Sequence, residues 1–433
     1  MSDKIPRVKG MYDITPEHTP LWRWVEEKAC GILNAAGYGE IRLPLLEKTA
    51  LFARSIGEET DVVSKEMYTF EDRNGDSLTL RPEATAGCVR AVIQNGLLHG
   101  HGVKVWYSGP MFRHENVQRG RNRQFYQIGA EAYGLAGPDV DAELIVLLQQ
   151  LWEQLGIEGV ELQINSLGSP ESRAAYRDTL VEYLSDNRDR LDDDSVRRLE
   201  RNPLRILDSK NPDMAAVVAQ APSLLDHLDP ESADHFESLQ EMLSACGVQA
   251  TVNPRLVRGL DYYTRTVFEW VTGDLGSQGT ICAGGRYDGL VQRLGGAAVP
   301  AVGYSMGLDR VVELIGVQGK QPDLPATHAY LIVGGQGCQV AGQVLADQLR
   351  RTVPGMRLQT NLGQGSFKSQ FKRADRSGAE LALVLAEDEV QRGVVQVKFL
   401  RDQREQLEIA QVELPGWLRQ WQAEQQPRPE SQP

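Results

Sequence analysis

The chain has 433 residues, 41% hydrophobic and 24% charged, with a formal net charge of −13. That length suits two or three domains with ordinary packed cores, and the acidic balance excludes nucleic-acid binding over the whole surface, leaving it to local basic patches. Met1–Gly10 has no apolar stretch of the signal-peptide kind, no apolar run approaches the ~18 residues of a membrane span, and the five scattered cysteines form no CxxC; a reducing, cytoplasmic location without membrane attachment or structural zinc is expected.

In chain order, Thr19-Pro20 reads as a helix N-cap followed by proline, with Leu21, Trp24, Val25, Ile32 and Leu33 at helical spacing and Gly37 closing the helix. Tyr38–Pro44 reads as a short strand ended by proline. Tyr68–Glu71 and Ser77–Leu80 alternate as strands about Asn74-Gly75, a hairpin signal. His99 and His101 sit in a Gly-rich turn and read as solvated rather than metal-binding. Lys104–Tyr107 and Gln124–Ala132 are further strands joined by an arginine-rich loop, so the expected sheet is antiparallel. Neither GxxxxGK[ST] nor GxGxxG is present, and ATP would need another architecture. From about 171 to 245 strand signals vanish and helix formers such as Val196–Arg201 dominate, which predicts a helical insertion. Strand character returns at Thr266–Val271. Gly316–Thr327 is a polar linker with Gly and Pro. Beyond it, strands at Tyr330–Val333, Arg357–Thr360, Leu381–Leu385 and Val394–Leu400 and helices at Val340–Arg351, Phe367–Arg376 and Trp417–Glu424 predict a compact α/β domain. The expected organisation is an α+β domain over 1–325 carrying the insertion, an α/β domain over 327–424, and a disordered polar tail over 425–433.

Several segments carry chemistry. The loop Met111–Arg123 holds Arg113, Arg119, Arg121 and Arg123 against Glu115. Arginine pairs bidentately with phosphate oxygens, although a solvated hairpin tip would look the same. Gln127, Gly129 and Glu131 lie at period two and share a face. The small Gly129 leaves room for a flat ligand, while an exposed polar stripe is the plain alternative; the strand is otherwise aromatic and apolar, and a buried carboxylate needs a partner. Glu83 and Thr85 suit an α-ammonium group, or a helix cap, or both. Val257–Tyr263 places Arg258 beside a glycine, then an acid and two tyrosines; Ala283–Gly289 is a Gly-rich turn with Arg286 and Tyr287; Gly303–Arg310 puts Gly303, Ser305 and Gly307 on one strand face. Small residues permit close approach by a ring such as adenine.

Together these segments resemble class II aminoacyl-tRNA synthetases over about residues 5–420. Tyr38–Pro44 is similar to the first class motif, which in the family helps form the dimer interface; Phe112 through Glu131 resembles the second and Gly303–Arg310 the third. Leu256–Tyr263 and Ala283–Gly289 resemble the two histidine-specific motifs, which points to the histidyl-tRNA synthetase family. The resemblance implies a class II antiparallel sheet flanked by helices, a C-terminal anticodon-binding domain, a homodimer, and ligation of L-histidine to tRNA(His) through an adenylate. ATP is the implied co-substrate, with Mg²⁺ on its phosphates and no protein side chain assigned to a metal. Carried over residue by residue, Arg113 and Arg258 would be catalytic, flanking the α-phosphate and touching the histidine, and Arg121 and Arg310 would hold the ATP tail. Glu83, Thr85 and Gln127 would take the α-ammonium group; Glu131 and Tyr263 the imidazole; Tyr262 and Tyr287 would wall the pocket. An imidazole offers one N–H and one acceptor, so a carboxylate and a hydroxyl read both. Such a site rejects apolar analogues by ~10⁴-fold, making an editing domain unnecessary. Gln118, Arg119 and Arg123 would meet the tRNA end; many bacterial relatives carry Arg-Pro after the loop glutamate where this chain has Asn116-Val117, so no role is assigned there. A second basic patch, Lys368, Lys372, Arg373 and Arg376, falls in the anticodon-binding segment and answers the objection of net charge. The competing reading is a catalytically silent synthetase-like regulatory or tRNA-sensing protein; such regulatory relatives generally lack the C-terminal domain and key motif residues, and this chain keeps both.

Overall fold

A computed structural model describes residues 4–57, 60–100, 102–209, 211–276, 279–322, 327–363 and 365–425. His101, residues 323–325 of the expected first domain and the tail beyond Gln425 lie outside the described residues. The chain forms two compact units, residues 1–322 and 323–433.

The strands of the first unit are β1 (Gly39–Glu40), β2 (Leu46–Lys48), β3 (Tyr68–Glu71), β4 (Ser77–Leu80), β5 (Val103–Phe112), β6 (Gln124–Tyr133), β7 (Val160–Ser166), β8 (Ala250–Val252), β9 (Thr264–Thr272), β10 (Thr280–Arg286) and β11 (Ala301–Gly307). Eight form one sheet in the order β1-β5-β6-β11-β10-β9-β7-β8, and β2-β4-β3 form a smaller one. The inner pairs of the large sheet are antiparallel, as expected. Both outermost pairs, β1–β5 and β7–β8, are parallel, so the sheet is mixed. Long connections containing helices separate those partners, which is what parallel pairing requires. The β3–β4 hairpin closes as predicted, with Gly75 at φ +84° in its turn.

Alternation along β6 separates Ile128, Ala130 and Ala132 from Gln127, Gly129 and Glu131. Register carries both sets across the sheet. Ala130 faces Tyr304, which faces Gly284 and then Phe268; Glu131 faces Gly303, Gly285 and Val267. The first set packs into the main core with the helices Thr19–Ala35, Pro138–Leu155 and Leu308–Gln318. In the first of these, Thr19 lies inside the helix and the N-cap position is His18, without a side-chain cap bond; Pro20 alone marks the start. The opposite face of the sheet carries a second core and the cavity described below.

Between β7 and β8 lie the helices Pro170–Asp186, Asp193–Arg201, Ala215–Gln220 and Pro230–Ala245. Ser169, Asp192 and Asp229 cap three of them by accepting N–H bonds. Leu180 and Leu199 join the cavity-side core, whereas Phe236, Leu239 and Leu243 of the last helix join the main core.

The second unit has β12 (Ala329–Val333), β13 (Leu358–Thr360), β14 (Leu381–Leu385), β15 (Val394–Phe399) and β16 (Leu407–Ala410) in the order β13-β12-β14-β15-β16. Helices Cys338–Thr352, Phe367–Arg376 and Leu414–Gln425 stand where helices were expected. The helix Glu387–Arg392 and β16 were not expected. One is a short charged helix with no buried residue, the other an edge strand with no fully buried position, so neither has a hydrophobic period to read. Among the described residues no helix is long and apolar enough to cross a membrane.

Candidate active site

A cavity of about 190 Å³ opens over β6, β10 and β11 of the first unit. Behind its wall lies Glu131 of β6, fully buried and bonded to the lining residues Thr85 and Tyr287. Glu131 Oε1 accepts hydrogen bonds from Thr85 Oγ1 (2.8 Å) and Tyr107 OH (2.9 Å), and Oε2 accepts one from Tyr287 OH. Burial pushes its carboxyl up to about 8, against the pull of those three hydroxyls. Glycine at 303 is obligatory for this arrangement, since a Cβ there would stand 1.7 Å from Glu131 Oε2. Gly129 also differs from expectation. The space above it is filled by the Tyr107 ring, 2.4 Å from where a Cβ would be, rather than left for a ligand. The small residues of β6 and β11 admit protein side chains first.

Glu83 accepts the N–H groups of Thr85 (2.6 Å) and Ala86 (3.0 Å) and thereby caps the helix Thr85–Gln94. The cap is thus Glu83, and the Thr85 hydroxyl is turned to Glu131 instead. Burial raises the Glu83 carboxyl and the two N–H bonds oppose it. Gln127 lines the cavity with Oε1 buried and lacking a partner among the described residues. Such an acceptor is costly unless a ligand donor reaches it. Tyr262 and Tyr263 meet at 4.7 Å between centroids with their rings tilted by 45°, and Tyr262 meets Tyr287 edge-on at 5.6 Å. Ala283–Arg286, expected as a turn, is strand β10, and Arg286 is fully buried against Asp141 (2.7 Å), which fixes the neighbouring Tyr287.

Three arginines also line the cavity. Arg113 Nε donates to Pro82 O (2.8 Å), with its guanidinium 5.4 Å from the Phe125 centroid. Arg121 lies 3.3 Å from Glu115, and Arg310 Nε donates to Gly120 O (3.2 Å). Burial and then the nearby charge of Arg121 lower the pKa of Arg310, the signature of cations crowded together. A fourth lining arginine, Arg258, pairs with Glu269, whose other oxygen accepts from Thr280 Oγ1 (3.0 Å). Burial alone would lower the Arg258 pKa, but Glu269 and Tyr263 outweigh it and raise it. A chain of contacts therefore runs from Arg310 through Thr280, Glu269, Arg258, Tyr263, Tyr262 and Tyr287 to Glu131.

Every residue expected to meet ATP or histidine lines this cavity or, for Glu131, bonds to residues that do. Gln118, Arg119 and Arg123 do not line it. They occupy the β5–β6 loop, where Arg119 pairs with Glu313, Arg123 N donates to Gly10 O (2.8 Å) and Gln118 bridges Arg121. Lys368 and Lys372 are exposed and Arg373 half-buried on the helix Phe367–Arg376 of the second unit. Tyr107 and Glu269 were missed. The available signal for Glu269 was a lone acid in Thr264–Thr272, a strand otherwise of apolar residues, threonines and one arginine.

The family model for histidyl-tRNA synthetase matches residues 10–311. The chain belongs to the histidyl-tRNA synthetase family. A model of the anticodon binding domain matches residues 328–421. The histidine–tRNA ligase of Alkalilimnicola ehrlichii is 56% identical over 422 residues, covering 97% of this chain and 98% of that protein. The histidine–tRNA ligase of Hydrogenovibrio crunogenus is 55% identical over 406 residues, 94% of this chain and 95% of that one. Among solved structures, the apo histidyl-tRNA synthetase of S. aureus superposes with a TM-score of 0.80 at 32% identity, over 96% of this chain and 99% of that one. Family membership makes this a class II enzyme, and the second unit an anticodon-binding α/β domain.

Proposed function

We propose that the chain joins L-histidine to tRNA(His) in two steps inside the first unit. In the first, the histidine carboxylate attacks the α-phosphorus of ATP and pyrophosphate leaves. In the second, a ribose hydroxyl of the tRNA attacks the adenylate carbonyl and AMP leaves. The observation that carries this reading is the cavity that joins a cluster of arginines to a buried carboxylate ringed by hydroxyls. Attack of one anion on another requires fixed cations and in-line positioning. Arg113 and Arg258 are assigned to the α-phosphate, Arg121 and Arg310 to the ATP tail. Gln127 Oε1 takes one proton of the α-ammonium group, with Glu83 supplying charge and Thr85 a neighbouring hydroxyl. Glu131 and Tyr263 read the imidazole, and Tyr262 and Tyr287 exclude water around it. Mg²⁺ would come with ATP and would supply charge neutralisation on its phosphates; Glu115, a lining carboxylate beside Arg121, would suit its hydration shell. ATP–pyrophosphate exchange with a panel of amino acids tests the whole. Histidine alone should support exchange, and exchange with none of them would return the chain to the silent regulatory reading.

Glu131 gives a pH prediction. Its pKa is raised from 4.5 to about 8, so the carboxyl of the ligand-free enzyme is neutral below and ionised above that point. The kcat/KM for histidine, which reports the free enzyme, should climb as pH rises through about 8. Glu131→Gln should remove that inflection while keeping those due to the substrate. In folding, the same shift favours the native state below the ordinary carboxylate range, and that contribution is lost as pH rises through about 8.

The domain assignment gives another. Chain ended at residue 322 should keep histidine-dependent exchange within about threefold, yet lose about 100-fold or more in kcat/KM for tRNA, because one of two linked contact modules is gone. Gln118, Arg119 and Arg123 are assigned to the acceptor end, and Lys368, Lys372 and Arg373 to the anticodon side. Loss of exchange on truncation would overturn the division. A homodimer is supported by the short edge strand β1, by the exposed Leu45 and Leu46 that follow it and by the exposed Phe70 on β3; sedimentation at micromolar concentration tests it. The five cysteines are all free, which supports a cytoplasmic location.

A further inference from the structure

The segment that bears Arg258 is held in place from outside the cavity. Residues 256–263 are neither helix nor strand. Among the described residues, 257–262 join the rest of the fold through one backbone–backbone hydrogen bond, from Asp261 N to Ile56 O (3.2 Å). Val257, Tyr262 and Tyr263 pack into the cavity-side core, but the backbone around Arg258 has no ladder to fix it. A second cavity of about 180 Å³ lies against the same segment, and Arg258, Leu260 and Tyr263 line both cavities. With void on two sides, Arg258 and Leu260 have fewer contacts to fix them than a position inside a filled core would have.

Three side chains from between β7 and β8 supply what is missing. Arg205 Nη1 donates to Gly259 O (2.8 Å), Asn202 Nδ2 to Asp261 Oδ1 (3.0 Å) and Arg173 Nη1 to Tyr263 O (2.7 Å). Arg173 comes from the helix Pro170–Asp186; Asn202 and Arg205 follow directly on Asp193–Arg201. Arg205 is itself placed 3.7 Å from Asp61, which Arg198 also approaches at 3.9 Å. On the other side, Asp261 is tucked against Gly57 so closely that a Cβ there would be 2.6 Å from its Oδ2. The grips fall on 259, 261 and 263, around the side chains of Arg258 and Tyr263.

We propose that Arg205, with Asn202 and Arg173, is a positioning residue for adenylate formation: the helices between β7 and β8 set where Arg258 and Tyr263 stand. The inference rests on the reading of Arg258 as the α-phosphate cation. It follows that a displacement of those helices is passed to the reacting centre through three hydrogen bonds, without any of their side chains touching substrate.

The test is a double-mutant cycle in the full-length protein, with single-turnover adenylate formation and thermal melting as readouts. Arg205→Ala should lower the rate of adenylate formation about 10- to 100-fold, as expected of a reacting group displaced by about 1 Å. The KM for ATP and the melting temperature should be little changed, and Arg205→Lys, which keeps one donor, should recover most of the rate. In the Arg258→Ala background, Arg205→Ala should add almost nothing, because the residue it positions is gone. Full activity of Arg205→Ala, or multiplicative losses in the double variant, would overturn the proposal. Should Arg205→Ala not fold, Asn202→Ala, which removes one neutral hydrogen bond, takes its place in the cycle, and the same two results would overturn the proposal. A fully active Arg258→Ala would instead overturn the reading of Arg258, whatever the Arg205 variant does.

Discussion

Arg258→Ala is expected to slow histidyl-adenylate formation by about 10²- to 10³-fold, the usual loss when a fixed donor to developing charge is removed, while tRNA affinity stays within about twofold. The expectation follows from where Arg258 sits. Its guanidinium is paired with Glu269, lies 5.7 Å from the Tyr263 centroid, and lines the cavity at which the ligand arrives. Glu269 holds the cation in place, and ATP must compete with or supplement that pairing. The alanine variant leaves Glu269 partly buried without its cation, which costs stability by itself. Glu269→Gln separates the two effects: it keeps Arg258 present, and it should lower the rate far less than Arg258→Ala does. Single-turnover formation of adenylate and equilibrium tRNA binding are the measurements. Equal losses in both would make Arg258 a structural residue.

Gly303→Ala should be nearly as damaging, although it adds only a methyl group at a position with no chemistry of its own. The new Cβ would stand 1.7 Å from Glu131 Oε2 and 2.6 Å from Ala130 O, so Glu131 must leave its place. Its bonds from Thr85, Tyr107 and Tyr287 break with it. The kcat/KM for histidine should fall by about 100-fold or more, since a displacement near 1 Å is enough for that, and overpacking should cost about 1–3 kcal/mol of stability. Discrimination against apolar amino acids should shrink in parallel, because the reading carboxylate is displaced. Exchange kinetics with histidine and with leucine measure both. Wild-type selectivity in Gly303→Ala would show that Glu131 is not the imidazole reader.

Much of the site was legible because its signals are local. Alternation on β6 placed Gln127 and Glu131 on one face, and the arginine-rich loop and the Arg258 segment announced themselves by composition. The strands and helices of the second unit were legible for the same reason, where a strand or helix was long enough to show its period. The failures share a cause. Tyr107 and Glu269 stand on other strands of the sheet than Glu131, and only register brings them in: Tyr107 opposite Gly129, and Glu269 opposite Ala283, itself opposite Ser305. Glycine at 129 and 303 was read as room for a ligand, yet the occupants are Tyr107 and Glu131. A glycine states that something approaches closely and does not state what.

What the sequence by itself determined is therefore the antiparallel core of the sheet and the helical segment between β7 and β8, and its motifs carried the resemblance from which the family and the candidate site residues were read. The sheet core and the helical segment depend on periodicity within one element, where covalent geometry dictates the face; the site residues came from the resemblance, motif by motif. Tertiary structure alone decided the parallel edge strands, the Glu269 partner of Arg258, the hydroxyl ring around Glu131 and the grip of Arg173, Asn202 and Arg205 on the segment 256–263. Each of these is a contact between residues on separate elements of the fold. Their pairing is selected by the free energy of the whole packed unit, in which the buried groups find partners, and no local pattern records it.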